Sequence, residues 1–203
     1  MAESVHIRGT TRSTFLARAA LATGSLYGAG AVAPFVQRAL AATGGGDDSI
    51  IGFALTLERI ESAFYTRAVA VNGLSPTVKR AFQEIAAHEA AHVKQLTQTL
   101  QQVGASAPPA PRTSFPALAD ERAALALAIR LEETGVGAYN GAAPLIQQPD
   151  YLDAVGSIVQ VEARHAGALR ELAGRDPAPA PFDRALSRAR VLAAVRPFVR
   201  GGL

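Results

Sequence analysis

The chain carries the same short pattern of acids, tyrosine and histidine twice. The first half holds Glu58, then Tyr65, then Glu89-Ala90-Ala91-His92; the second half holds Glu132, then Tyr139, then Glu162-Ala163-Arg164-His165. The Glu-to-Tyr spacing is seven in both halves. The halves are offset by 74 residues at the Glu and Tyr positions and by 73 at the Glu-x-x-His positions. Apolar neighbours repeat with them: Ala54-x-x-Leu57-Glu58 matches Ala128-x-x-Leu131-Glu132, and Leu96 and Leu169 each follow a Glu-x-x-His glutamate by seven. On a helix, positions three apart share a face one turn apart, so Glu-x-x-His aims a carboxylate and an imidazole at one point. Two such helices, with two more that each contribute one inward Glu, give the ligand set of a two-metal centre inside a four-helix bundle.

That reading names six metal ligands: Glu58, Glu89, His92, Glu132, Glu162 and His165. The apolar neighbours put these acids on inward faces, where unpaired carboxylates are costly and a bound cation removes the cost. Four carboxylates balance two divalent ions. Oxygen and imidazole donors without sulfur suit iron or manganese and disfavour copper(I). Tyr65 and Tyr139 lie two turns from the acids on nearly the same face. They are read as partners of the ligand carboxylates or as redox participants, against the plainer role of core tyrosines. Glu133 falls ~100° around the helix from Glu132 and is assigned to the outer face. Glu61 aligns with Gly135 in the repeat and is set aside as a ligand, and Gly135 and Gly137 are read as permitting close packing.

A rival motif overlaps the first Glu-x-x-His. His88-Glu89-Ala90-Ala91-His92 is a literal His-Glu-x-x-His, the zinc-protease pattern, which would make His88 a ligand and Glu89 a general base. It leaves Glu58, Glu132, Glu162 and His165 without a purpose. The repeat has Val161 where His88 would recur, so His88 stands outside the duplicated pattern.

Helix boundaries follow from stop and start residues. A first helix runs from about Asp47 to Val71, ended by Asn72-Gly73. A second begins at Ser75-Pro76, read as N-cap and first helical residue, and runs to Val103 before Gly104. A third spans about Asp120 to Ile146, and a fourth runs from Asp150 to just before Gly174. The first and third connections are short and make antiparallel hairpins. The second holds Pro108, Pro109, Pro111 and Pro116, and a Pro-rich run at ~3.1 Å per residue can cross the full length of a helix rising ~1.5 Å per residue. The expected fold is all-α, two hairpins joined by one long crossover over residues 42–174. A Pro-rich linker and an amphipathic helix, about Phe182 to Val199, occupy residues 175–203.

Charge places the remaining function classes. Residues 1–41 hold Arg8, Arg12, Arg18 and Arg38 against Glu3 alone, which accounts for the whole formal net charge of +3. The rest is neutral, so no basic stripe remains to follow a nucleic acid. The polar, Arg-bearing start, the Ala/Gly/Leu-rich stretch after it and Ala39-Leu40-Ala41 read as an export signal cleaved before Ala42. The stretch around Arg12-Ser13-Thr14-Phe15-Leu16 resembles a twin-arginine (Tat) signal but lacks the second arginine. The protein is thus expected outside the cytoplasm, touching membrane only through that signal. The chain has no Cys, which excludes disulfides and thiolate-ligated metals.

With these motifs in place, the chain resembles the ferritin-like superfamily, and more closely the bacterial ferritin-like domain family that includes desiccation-related proteins. The resemblance rests on ALTLERIESAFYTRA, EIAAHEAAH, LEETGVGAYNGAAPLI and VEARH, and covers about residues 50–172. It implies a di-metal carboxylate site at the six residues named above and O₂ or H₂O₂ as oxidant. The expected function is that of a di-iron ferroxidase or peroxide-reducing oxidoreductase. A dimanganese catalase-like enzyme and a non-catalytic stress-protective protein are the alternatives.

Overall fold

The computed structural model describes residues 46–200. The export signal expected over residues 1–41 lies outside them. Among the described residues the chain is all-α apart from one two-residue strand pair. Its elements are α1 (Asp47–Ala68), α2 (Pro76–Gln102), β1 (Arg112–Thr113), α3 (Glu121–Ala142), α4 (Pro149–Leu172), α5 (Arg188–Val195) and β2 (Val199–Arg200), with 3₁₀ turns at Ala143–Leu145 and Arg196–Phe198. No described helix is long and apolar enough to cross a membrane.

Local chemistry sets the ends. Ser75 caps α2 by accepting from the Val78 N–H at 3.3 Å, with Pro76 at the first helical position; Asp120 does the same for α3 from Ala123 N–H at 2.7 Å. Gly104 and Gly174 take positive φ (73° and 68°) just past α2 and α4, a conformation that favours glycine. Asp47 at the start of α1 accepts from the N–H groups of Gln147 and Gln148, tying the first turn of α1 to the entry of α4.

Helix α1 packs on α2 and α3, and α4 packs on α3 and α2. Each helix buries a stripe that continues through the metal-type residues, and the core forms two apolar clusters. One gathers Phe64, Val78, Phe82, Ile85, Leu125, Leu131 and Leu169; the other gathers Ile51, Leu55, Leu96, Leu100, Tyr151, Val155 and Ile158. Along α2 the order is Ile85, Glu89, His92, Leu96, and along α4 it is Ile158, Glu162, His165, Leu169. The polar layer therefore lies between two dry ends. Burying one such side chain is worth ~1.5–3 kcal/mol, so the apolar ends supply the folding energy and the layer between them is carried. α2 ends beside the second cluster and α3 begins beside the first, so the 103–120 connection crosses the length of the bundle, as the prolines predict. Arg59 donates to the Pro108 carbonyl and pins this crossover to α1.

The C-terminal segment departs from expectation. Its helix, Arg188–Val195, is shorter than the predicted Phe182–Val199: it starts only at the Ser187 N-cap, and at its end Pro197 removes a backbone donor before the chain turns into β2. That strand pairs antiparallel with β1, Arg112 opposite Arg200 and Thr113 opposite Val199, and Ser114 N–H donates to the Phe198 carbonyl at 2.8 Å. Phe198 and Phe115 pack against each other and onto Phe64 by way of Phe115. Upstream, Leu186 N–H donates to the Gly137 carbonyl at 2.8 Å. A Cβ on Gly141 would stand 1.9 Å from the Leu186 carbonyl oxygen, and one on Gly137 2.6 Å from Leu186 Cγ. Gly137 does permit close packing, as the sequence implies, but of this C-terminal strap rather than of another bundle helix. Arg188 of the segment lies over the Phe53 ring of α1 at 4.2 Å, and Arg130 of α3 donates to the Ala194 carbonyl.

Candidate metal centre

The four helices bring all six predicted ligands to one layer. Glu58, Glu89, Glu132 and Glu162 have no exposed surface, and His92 and His165 are buried. Their donor atoms form two overlapping groups, Glu58–Glu89–His92–Glu162 and Glu89–Glu132–Glu162–His165, each with one donor atom per residue and all within 4.8 Å of one another. Glu89 and Glu162, one from each Glu-x-x-His helix, belong to both groups.

The contacts obey the internal repeat. His92 Nδ1 lies 3.2 Å from Glu58 Oε2 and 3.0 Å from Glu162 Oε1; His165 Nδ1 lies 3.2 Å from Glu132 Oε2 and 3.2 Å from Glu89 Oε1. Each Nδ1 carries at most one proton, directed at Glu58 from His92 and at Glu132 from His165. The approaches to Glu89 and Glu162 are close but off the hydrogen-bond direction, so all four oxygens of these two carboxylates lack a hydrogen-bond donor. Buried carboxylate oxygens that accept no hydrogen bond are costly. The donor set, the overlap and the orphaned oxygens together fit two cations, with Glu89 and Glu162 available to both.

Tyr65 and Tyr139 are buried and serve the opposite half. Tyr65 donates to Glu132 Oε1 and Tyr139 to Glu58 Oε1. Each of these glutamates thus has one oxygen held by a tyrosine and the other turned toward an imidazole. Burial and the neighbouring carboxylates push both phenols well above their ordinary pKa, so they remain protonated donors.

The layer holds protons where cations would sit. Burial would lower both imidazoles, but the surrounding carboxylates prevail and hold His92 up at about 12 and His165 at about 10. Burial pushes the Glu58 and Glu132 carboxyls well up, with the carboxylate neighbours adding to it and the imidazoles opposing. For Glu89 burial acts the same way, but the contacts from His165 and His92 overcome it and hold that carboxyl down at about 2.

Two residues that sequence reasoning placed outside the ligand set also stand here. Glu61, set aside because the repeat has Gly135 opposite it, is 3 % exposed, and its Oε2 has no partner. A Cβ on Gly135 would meet Glu61 Oε1 at 3.0 Å and Glu162 Oε2 at 3.3 Å, so the glycine provides the space for both carboxylates. Burial and the other four carboxylates of the layer push the Glu61 carboxyl well up. His88 is exposed, but its Nδ1 lies 2.9 Å from His165 Nε2. It belongs to neither donor group, whereas a zinc-protease site would need His88 and His92 on one ion. Glu133 is on the outer face, paired with Arg170, as expected.

The chain belongs to the ferritin-like domain family, whose model matches residues 46–175. Among solved structures it is similar to a conserved hypothetical protein, Rv2844, from Mycobacterium tuberculosis, with a TM-score of 0.58 and 20 % identity over 67 % of this chain and 96 % of that one. At that identity the likeness speaks for the fold. No curated protein matches the sequence.

Proposed function

We propose that this protein is an exported di-metal carboxylate oxidoreductase that holds two iron ions and uses them in ferroxidase or peroxide-reducing chemistry. One observation carries the reading: two four-donor groups share Glu89 and Glu162, whose four oxygens are buried and without donors. Glu58 and His92 would complete one metal position, and Glu132 and His165 the other. A ferrous pair bound there would supply two electrons, the number that, with two protons, reduces one H₂O₂ to two waters. The chain's own residues orient and shield. Tyr65 and Tyr139 hold one oxygen of Glu132 and Glu58, and the apolar clusters on either side keep water from the layer. The export assignment is supported by the segregated charge of residues 1–41 and by Ala39-Leu40-Ala41.

Protein purified without chelator and loaded with Fe(II) under anaerobic conditions should bind about two ions per chain. Adding H₂O₂ or O₂ should then raise a near-ultraviolet ferric absorbance in a fast phase that Glu58→Ala and Glu132→Ala abolish without loss of helicity. Rapid O₂ release from H₂O₂ after Mn(II) loading, with little Fe activity, would replace the iron reading with a dimanganese one. Metal binding no greater than in a variant lacking all six ligands would leave a structural or protective role. Export is checked by intact mass: the mature chain should start at Ala42, and retention of Met1 or Ala2 would refute it.

A further inference from the structure

We propose that the two metal positions are unequal, and that His88 makes them so: it is a positioning residue that accepts the Nε2–H of His165 and fixes that imidazole with Nδ1 aimed at the carboxylates. The inference rests on the di-metal reading above. A metal-binding histidine depends on the partner of its other ring nitrogen, which sets the tautomer and the ring orientation; losing such a partner typically costs 10–100-fold in metal affinity. Here the partner is a second imidazole. The His88 and His165 rings are nearly coplanar, 8° apart, with centroids 5.2 Å and facing nitrogens 2.9 Å from each other. At those distances the rings lie end to end, in line with a hydrogen bond, not face over face. His165 Nδ1 meanwhile faces Glu132 and Glu89, each at 3.2 Å, so its two nitrogens have distinct tasks.

The other position lacks this arrangement for a reason visible in the repeat. His88 immediately precedes Glu89 on α2 and reaches across to the histidine of α4. The equivalent residue, immediately before Glu162 on α4, is Val161, and the histidine it would serve is His92. A valine side chain neither accepts nor donates a hydrogen bond. His165 therefore has its ring held from behind by a side chain that His92 has no counterpart for. Glu61 also breaks the repeat, but it belongs to neither donor group, and the Gly135 space it fills is shared with Glu162, which belongs to both.

Co(II), titrated anaerobically by calorimetry with the visible spectrum followed in parallel, gives the test. The full chain should take up two ions in separable steps. His88→Val, which copies the residue of the other half, should weaken the tighter step by ~10–100-fold and bring the two affinities together. His88→Asn, whose side-chain oxygen can accept in place of Nδ1, should restore most of the difference. Val161→His should tighten the weaker step. His88 is exposed, so melting temperatures of the metal-free variants should match that of the unaltered chain and exclude a folding defect. Two equal steps in the unaltered protein, or a tighter step unmoved in His88→Val, would overturn the inference while leaving the di-metal reading intact. Failure of the unaltered protein to bind any ion would overturn both. Loss of all binding in both His88→Val and His88→Asn, with Glu162→Ala retaining it, would make His88 a ligand itself and overturn the positioning role.

Discussion

The hairpin α1–α2 and the hairpin α3–α4 present the same chemistry to the middle of the bundle and different chemistry one residue away from it. At the centre the correspondence is complete: Glu58 with Glu132, Tyr65 with Tyr139, Glu89 with Glu162, His92 with His165, each making the same contact across the pseudo-repeat. Just outside, Glu61 faces Gly135 and His88 corresponds to Val161. Beyond that, α3 receives the C-terminal strap at Gly137 and Gly141, where a Cβ would meet Leu186. The six candidate donors are held alike by what a shared polar layer requires. The positions around them, freed from that requirement, are where the two halves have acquired separate tasks.

The largest effect expected from breaking the correspondence is at the shared residues. Glu89→Ala and Glu162→Ala each remove a donor from both groups, so each should lose both ions. Glu58→Ala or Glu132→Ala should chiefly weaken one. Metal content of the purified variants decides this, and loss of only one ion in Glu89→Ala would show that it does not bridge. Next come the apolar ends. Leu96 and Leu169 are equivalent in the repeat, fully buried, and sit in different clusters. Truncating either to Ala should cost ~2–5 kcal/mol, and by similar amounts if the ends bear the fold equally. Thermal melts of metal-free protein would read the difference, and a large gap between the two would identify the end that dominates stability.

The central layer also predicts an unusual pH dependence once metal is removed. Unfolded Glu and His titrate near ~4.3 and ~6.5. In the folded chain Glu58, Glu61 and Glu132 are pushed up by burial, and His92 and His165 are held at about 12 and about 10 by the carboxylates. At neutral pH the folded state therefore binds more protons than the unfolded state, and stability falls as pH rises. The histidine contribution is complete below ~6.5 and is lost as pH climbs through 10 to 12. The three raised carboxyls begin to cost stability as pH passes ~4.3. Glu89, held at about 2, acts oppositely: its contribution is present above ~4.3 and lost as pH falls through 2. Chelator-treated protein should melt lower at pH 9 than at pH 6. Metal should erase or reverse that slope, because ions displace the protons. A melting temperature that rises from pH 6 to pH 9 without metal would contradict the arrangement.

What the sequence discloses follows from how the information is laid out along the chain. The candidate ligands are legible because each is tied to a helix register: i and i+3 within a helix, and a fixed offset between helices, survive as spacing. Ser75-Pro76 and the 108–116 prolines are legible for the same reason, since a cap or a stiff run is a local property. The strap is not. Leu186 meets Gly137 and Gly141, and β2 meets β1, through single contacts between distant segments that leave no period to count. His88 and His165 are 77 residues apart and meet only because α2 and α4 are neighbours at that height. The repeat places Glu61 outside the donor groups, where it is, but does not disclose that it is buried beside them. A glycine opposite a glutamate in a repeat argues that the acid is not required, yet the missing Cβ of Gly135 is what allows Glu61 to lie in the layer.

That last pairing gives the smallest expected effect and the finest probe of how the two hairpins differ. Glu61 is a fifth carboxylate beside four whose charges would balance two divalent ions. Its Oε2 has no partner, so in the metal-free protein it contributes desolvation and repulsion and no hydrogen bond there. Glu61→Gln keeps the shape and removes the ionisable group. It should raise the melting temperature of the chelated protein by a few degrees, about what 1 kcal/mol yields for a chain of this size, and the gain should be larger at pH 9 than at pH 6. Glu61 lies in neither donor group, so both ions should still bind. If Glu61→Gln instead lowers metal content to about one ion per chain, Glu61 is itself a ligand, and the hairpins differ in the donors they give to the metals as well as in the residues around them.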